Sequence, residues 1–271
     1  MSHWGGQRPN HLHTGQFAYF VQQLDIADWS GLTVLDFGGN AGNILDDPHC
    51  TIERKRYWCL DVDPDVTNEG QRTYPDGHFI QYDRYSFEYN PTGIKGLPIP
   101  DLGRKFDVIL AYSVFTHLPE VEMRDLVGQL RTFLTHDGIL AFTFLDPYFD
   151  PPDGWARERE KPGLDNLRCW LEKAGEVRPD LDPRALAARA LGTPLTTVTL
   201  VNHRTLLLGP TPSWAEEGNE QTQYLVLCTA EQMRSYYPDA EIRSPVRPER
   251  HSCCVLRNTP TGATNGPVRS G

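Results

Sequence analysis

Residues 32–42 read Leu32-Thr33-Val34-Leu35-Asp36-Phe37-Gly38-Gly39-Asn40-Ala41-Gly42, an apolar, β-prone run that ends in a glycine-rich turn. Such a run suits a short strand buried within a sheet. Gly38, Gly39 and Gly42 remove side-chain bulk from the turn, so a ligand can approach the backbone closely. Residues 43–47 then open a helix, whose free first amides favour a carboxylate or phosphate, and Pro48 limits its length. The pattern is strand, glycine turn, short helix.

The surrounding sequence extends this unit in both directions. Phe17, Phe20, Val21 and Leu24 recur at spacings of three and four, which predicts an amphipathic helix over 13–24. Further strands are expected at 57–62, 79–82 and 106–114, the last with the continuous apolarity of a strand buried on both faces. Val121, Leu126, Leu130 and Phe133 predict a helix over 119–134, ended by Asp137-Gly138 before a strand at 139–145. Strands alternating with helices imply an α/β chain with a doubly wound, mainly parallel, Rossmann-like sheet. Residues 224–228 are β-like, Thr229 can cap a helix over 230–237, and strands at 240–243 and 252–257 form a C-terminal antiparallel hairpin. The expected sheet has seven strands.

From Asp146 onward Pro147, Pro151, Pro152 and Gly154 interrupt any regular element. Residues 147–220 read as an insertion that covers the ligand edge as a substrate lid. Within it, 164–174 and 183–191 look helical, and 196–201 and 204–208 flank Asn202-His203 like a hairpin. The expected organisation is an N-terminal helical segment (1–30), a cofactor-binding core (31–146), the lid (147–220), the C-terminal part of the core sheet (221–258) and a disordered tail (259–271).

Acidic residues outnumber basic ones 36 to 26, a net charge of -10 over 271 residues. That balance argues against a broad nucleic-acid or anionic-membrane footprint. Cys50, Cys59, Cys169, Cys228, Cys253 and Cys254 contain no C-x-x-C pair and read as buried thiols of a reducing compartment. Residues 1–10 are polar and resemble neither a secretory segment nor a membrane span. These features suggest a cytoplasmic protein, monomer or homodimer. His11 and His13 have no carboxylate or thiol neighbour in sequence, so no metal site is expected.

The chemistry-bearing residues follow the strands. Asp61, near the end of the second strand, can accept from both hydroxyls of a ribose, as Asp63 can. Asp83, after the third strand, is free to accept from an exocyclic amine of adenine. A dinucleotide site would share the first acid but would normally carry G-x-G-x-x-G, whereas here the spacing is Gly38-x-x-x-Gly42.

Four ordered segments, LDFGGNAG (35–42), LDVD (60–63), QYD (81–83) and FDVILAYSVFTHL (106–118), are similar in order and spacing to successive motifs of class I S-adenosylmethionine-dependent methyltransferases. The resemblance covers roughly residues 15–146 well. It implies that Asp36, Gly38 and Gly42 surround the methionine part of the cofactor S-adenosyl-L-methionine, that Asp61 holds its ribose and that Asp83 meets its adenine. Ala111, Tyr112 and Ser113 would pass beneath it, and Gly39, Asn40 and Val62 belong to the same cofactor-binding set. Asn40 stands where many members carry Gly.

Methyl transfer requires the acceptor in line with the sulfonium methyl, and a hydroxyl or protonated amine also requires a base. His117, after the fourth strand, is the first catalytic candidate, followed by Tyr148 at the end of the fifth and by His203 at the hairpin tip. Each has an ordinary reading as well: a helix-start histidine, a packed tyrosine, a turn residue. Trp155 and Trp214 are candidate walls for a planar acceptor. The expected partner is a small-molecule methyl acceptor, taking methyl on O or N rather than C. A nicotinamide- or nucleotide-sugar-dependent enzyme using the same turn, and a non-catalytic cofactor-binding protein, remain as alternatives.

Overall fold

The computed structural model describes residues 15–86, 89–118, 120–146, 198–201, 205–208, 228–246 and 251–258. The chain enters through helix α1 (Gln16–Gln23) and strand β1 (Val34–Phe37), followed by β2 (Tyr57–Asp61), α2 (Pro64–Thr73) and β3 (His78–Gln81). Then come β4 (Phe106–Ala111), α3 (Glu120–Thr132) and β5 (Leu134–Phe144). Strands β6 (Val198–Val201) and β7 (Thr205–Leu208) pair with each other antiparallel, as the hairpin reading expected. Helix α4 (Ala230–Tyr236) and strands β8 (Glu241–Arg243) and β9 (Ser252–Arg257) close the core.

The main sheet has seven strands in the order β3-β2-β1-β4-β5-β9-β8. Its first five strands are parallel, and β9 runs antiparallel to both β5 and β8. Strand order reverses between β1 and β4, so the connections leaving those two strands diverge and open a crevice at their carboxyl ends. The glycine turn stands at the mouth of that crevice.

Both faces of the sheet are covered. Met123, Leu126, Val127 and Leu130 of α3, with Met233 and Tyr237 at α4, bury Leu35, Leu60, Ile109 and Ala111 on one side. Phe17, Tyr19 and Phe20 of α1 bury Val34, Tyr57, Cys59, Leu110 and Tyr112 on the other. The strands read as continuous apolar runs because each is sandwiched in this way. Cys59, Cys228, Cys253 and Cys254 are buried free thiols, and Cys50 is half-buried.

Two local expectations are corrected. No α-helix follows the glycine turn: residues Asn43–Asp46 form a single 3-10 turn. Pro48 disfavours the helical conformation for Asp47, which is extended at ψ 123 and uses its carboxylate to accept from the His49 amide at 2.9 Å. Asp137-Gly138 does not end α3, which stops at Thr132. Both residues lie inside β5, within the register shift between the Phe106–Leu134 and Val108–Ile139 pairs. The expected helices at 164–174 and 183–191, the expected strand at 224–228 apart from Cys228, and the tail lie outside the described residues.

A long connection from β3 to β4 carries Asp83 and is tied to α3 by Arg84. Its side chain is buried, with the guanidinium donating to Leu97 O at 2.8 Å and to Glu122 at 2.9 Å. Tyr82 donates to the same Leu97 carbonyl. Removing one partner of a largely buried ion pair strands the other and typically costs a few kcal/mol. Arg84→Ala should therefore lower unfolding free energy by roughly 2–4 kcal/mol in urea titrations. Glu122→Gln, which keeps an acceptor, should cost clearly less.

Candidate active site at the carboxyl edge of the sheet

The turn after β1 is held in place by bonds that leave its backbone amides occupied. Gly38 N–H donates to Leu60 O at 2.8 Å, Gly42 N–H to Gly39 O at 3.0 Å and Leu45 N–H to Gly42 O at 2.8 Å. Asn40 N–H donates to Asp61 Oδ2 at 2.8 Å, and Ala41 N–H donates to Asn40 Oδ1 at 2.7 Å. Gly38 has φ +72, and a Cβ there would stand 2.4 Å from Val114 Cγ2, so glycine is needed for two separate reasons. A Cβ on Gly39 would fall 2.5 Å from the Asp36 carboxyl carbon. Asn40 itself adopts φ +55, a conformation that Asn tolerates better than most residues, and its carbonyl accepts from the Cys59 thiol at 3.3 Å.

Two carboxylates lie under this turn. Asp36 is buried and accepts from the Tyr57 hydroxyl at 2.8 Å. Burial raises its pKa to about 7, against the lowering pull of the Tyr57 bond, and the charge of Asp61 adds to the rise. Asp61 is buried as well, with Oδ2 on the Asn40 amide and Oδ1 on the Asp63 amide at 3.0 Å. Burial lifts its pKa to about 6 even though those amides favour the ionised form. Each Asp61 oxygen keeps lone-pair capacity beyond its single amide bond.

The remaining residues named from the sequence lie along the same edge. Asp83 is exposed and accepts from Asn90 Nδ2 at 3.1 Å. Val62 packs against the α3-side cluster, and Ala111 is buried within it, whereas Tyr112 turns into the α1 side. Ser113 has φ +57, an unusual conformation for serine. Its amide donates to Thr143 Oγ1 at 2.7 Å, and its carbonyl accepts from Thr116 Oγ1 at 3.0 Å. His117 lies in the 3-10 turn Phe115–His117, its ring edge-to-face with Tyr89 at 6.4 Å. That contact directs it toward the β3–β4 connection. Tyr148, His203, His11, His13, Trp155 and Trp214 lie outside the described residues. Among the described residues no cluster of His, Cys, Asp and Glu could hold a metal, and no helix is long and apolar enough to cross a membrane.

Three contributors carried no sequence signal. Tyr57 reads only as an apolar strand residue, yet it is the hydrogen-bond donor to Asp36. Thr143, also inside a strand, anchors the strained Ser113. His251, one residue before β9, stands against Tyr112, with ring centroids 5.0 Å apart.

The titration of the two buried acids has a definite sign. Their pKa values are raised in the fold from 3.8 to about 7 and about 6. The folded protein therefore holds more protons than the unfolded chain between about pH 4 and pH 7, and stability falls as pH rises through that window. Asp36→Asn, which keeps an acceptor for Tyr57, should stabilise the ligand-free protein at pH 8 by on the order of 1–3 kcal/mol. Denaturation curves at pH 8 and pH 4 check this, since the difference should nearly vanish at the lower pH.

Residues 35–140 match the family model described as a methyltransferase domain. No curated protein matches the chain. Among solved structures it is similar to the DhpI–SAH complex at 13% identity, covering 84% of this chain and 76% of that one, with a TM-score of 0.43. It is similar to magnesium protoporphyrin IX methyltransferase from Synechocystis PCC 6803 with bound SAH at 13% identity, covering 89% and 79% of the two chains, with a TM-score of 0.42. It also resembles the pyocyanin biosynthetic protein PhzM at 12% identity, covering 89% of this chain and 53% of that one, with a TM-score of 0.46. The family match makes residues 35–140, under half of the chain, similar to a methyltransferase domain.

Proposed function

We propose that the protein binds S-adenosyl-L-methionine along the carboxyl edge of β3, β2, β1 and β4 and transfers its methyl group to O or N of a small molecule. The observation that carries this reading is the charge of the turn. Six of its amides, from Gly38 to Leu45, are bonded within the protein, and its buried neighbours are Asp36 and Asp61. A pyrophosphate needs open amides and would meet two carboxylates here. A ligand bearing a sulfonium and an ammonium is matched by the same groups, which are favoured in their ionised form when a cation is near.

In this reading Asp61 accepts from the ribose hydroxyls, its orientation already fixed by the Asn40 and Asp63 amides. Asp83 meets the adenine amine through the oxygen that Asn90 leaves open, with Val62 on the adjoining wall. Gly38, Gly39 and Gly42 admit the methionine part above Asp36, and Ala111, Tyr112 and Ser113 form the floor under β4. Asn40 serves through its backbone, so the departure from glycine costs nothing at the ligand. The cofactor supplies an electrophilic methyl, and the chain's task is to align the acceptor and exclude water. Residues 147–220 supply the acceptor pocket, and the candidate acceptor contacts are His117, Tyr148 and His203. A small acceptor accords with the net charge of -10, which repels polyanions.

Calorimetric titration with S-adenosylhomocysteine should give saturable binding, and titration with NADH should give none; the reverse result would overturn the reading. Asp61→Ala should weaken S-adenosylhomocysteine at least about a hundredfold, because hydrogen bonds to a charged group are worth about 1.5–3 kcal/mol each. Unchanged affinity in a folded variant would remove Asp61 from the ribose site.

A further inference from the structure

The space under the glycine turn holds a set of buried groups that the ribose and adenine contacts leave unused. Val34 pairs with Tyr57 and Asp36 pairs with Cys59, so these four side chains leave the sheet on one face, the face that α1 covers. Asp36 lies beneath Gly39, where a Cβ would fall 2.5 Å from both its carboxyl carbon and Oδ2. The turn therefore rests its backbone directly on this carboxyl group. Tyr57, one pleat further from the edge, reaches it from below, with its hydroxyl donating to Oδ2 at 2.8 Å.

The groups packed about Asp36 are neutral or acidic. From β2 come Tyr57, the Cys59 thiol, which donates to Asn40 O at 3.3 Å, and Asp61 at the strand's end. Cys50 adds its thiol from the loop after the 3-10 turn. In that turn Asp46 accepts from the Tyr74 hydroxyl, and Asp47 accepts from the Ala18 amide at 3.3 Å. Helix α1 brings Tyr19, whose hydroxyl donates to His251 O at 2.8 Å, and β4 brings Leu110 level with Asp36 and Tyr112 beyond it. Arg54, the positive charge that acts on Cys50, lies over the Tyr74 ring at 5.2 Å. Among the described residues no cation forms an ion pair with Asp36. Burial holds a proton on its carboxyl group, the Tyr57 bond works against that hold, and the charge of Asp61 adds to it.

We propose that Tyr57 is a positioning residue for the amino-acid end of the cofactor: it fixes Asp36 beneath Gly39 as the counter-charge to the ammonium, and Asp36 gives up its proton when that charge arrives. The inference rests on the cofactor reading above, which lays the methionine part over Gly38 and Gly39. The exchange balances, since the protonated acid becomes a carboxylate facing the ligand's positive charge and the proton leaves to solvent. A unit charge ~6 Å away through an effective dielectric of about 20 lowers a carboxyl pKa by roughly two units, enough to complete the ionisation near neutral pH. Cofactor affinity therefore rises with pH until the free protein has lost the Asp36 proton, and then levels.

Proton release is read by calorimetric titration with S-adenosylhomocysteine at about pH 6.5, in two buffers of different ionisation enthalpy. Roughly half a proton or more should leave for each ligand bound. 5′-Methylthioadenosine, which keeps the adenine and ribose but lacks the amino-acid end, should release clearly less. So should S-adenosylhomocysteine on Asp36→Asn, a variant that keeps an acceptor for Tyr57. Equal release from the two ligands in the parent, or unchanged release in Asp36→Asn, overturns the proton exchange while leaving the cofactor reading intact. Tyr57→Phe removes the hydroxyl and keeps the ring. The parent's affinity for S-adenosylhomocysteine should climb up to about pH 7 and then level, and in Tyr57→Phe the levelling should come about one pH unit higher. A loss by the same factor at every pH, as a purely structural role gives, or no change at all, overturns the positioning role. Failure of the parent protein to bind S-adenosylhomocysteine overturns the cofactor reading and this inference with it.

Discussion

The Asp61 carboxylate is the constraint on which the site depends. One oxygen holds the amide of Asn40 and the other the amide of Asp63, so a single buried group joins the glycine turn after β1 to the start of the connection after β2. A carboxylate in this setting is raised to about 6 by burial, and the amides of Asp63, Asn40 and Val62 restrain the rise. The geometry that fixes the turn is therefore the geometry that would present the acid to a ribose. Preorganisation of this kind spares the ligand the cost of ordering its own partner.

Around that group, at one edge, lie both of the non-glycine residues with positive φ among the described residues, Asn40 and Ser113. Gly38, Asn40, Gly42 and Ser113 all have positive φ, and all four lie in the turns after β1 and β4, the two strands between which the strand order reverses. Each is held by a specific partner: Leu60 O for Gly38, Asp61 for Asn40, Gly39 O for Gly42, Thr143 for Ser113. Strained conformations persist only where surrounding contacts over-determine them. Here the sheet beneath, packed on both faces, supplies those contacts.

Electrostatics separates this edge from an ordinary dinucleotide crevice. A glycine turn is often an anion site because its amides and the following helix start point at the ligand. In this chain the following helix is reduced to a 3-10 turn by Pro48, the amides are spent internally, and the buried groups are acids. The same local shape has been given the opposite charge.

The sequence by itself determined where the strands lie along the chain and that they are buried in a mainly parallel sheet, because hydrophobic periodicity and glycine placement are local properties of the chain. The run at 32–42, the apolar segment at 106–114 and the pairing of 240–243 with 252–257 were all legible in this way. Tertiary structure decided what no local pattern encodes. It set Tyr57 beneath Asp36, spent the turn's amides on its own backbone and anchored Ser113 on Thr143 from the neighbouring strand. It turned His117 toward Tyr89 and brought His251 against Tyr112, residues separated by 139 positions in the chain. Such pairings follow from sheet register and strand order, so they exist only once distant segments lie side by side, and that is also why the buried acids could be named from the sequence while their charge could not.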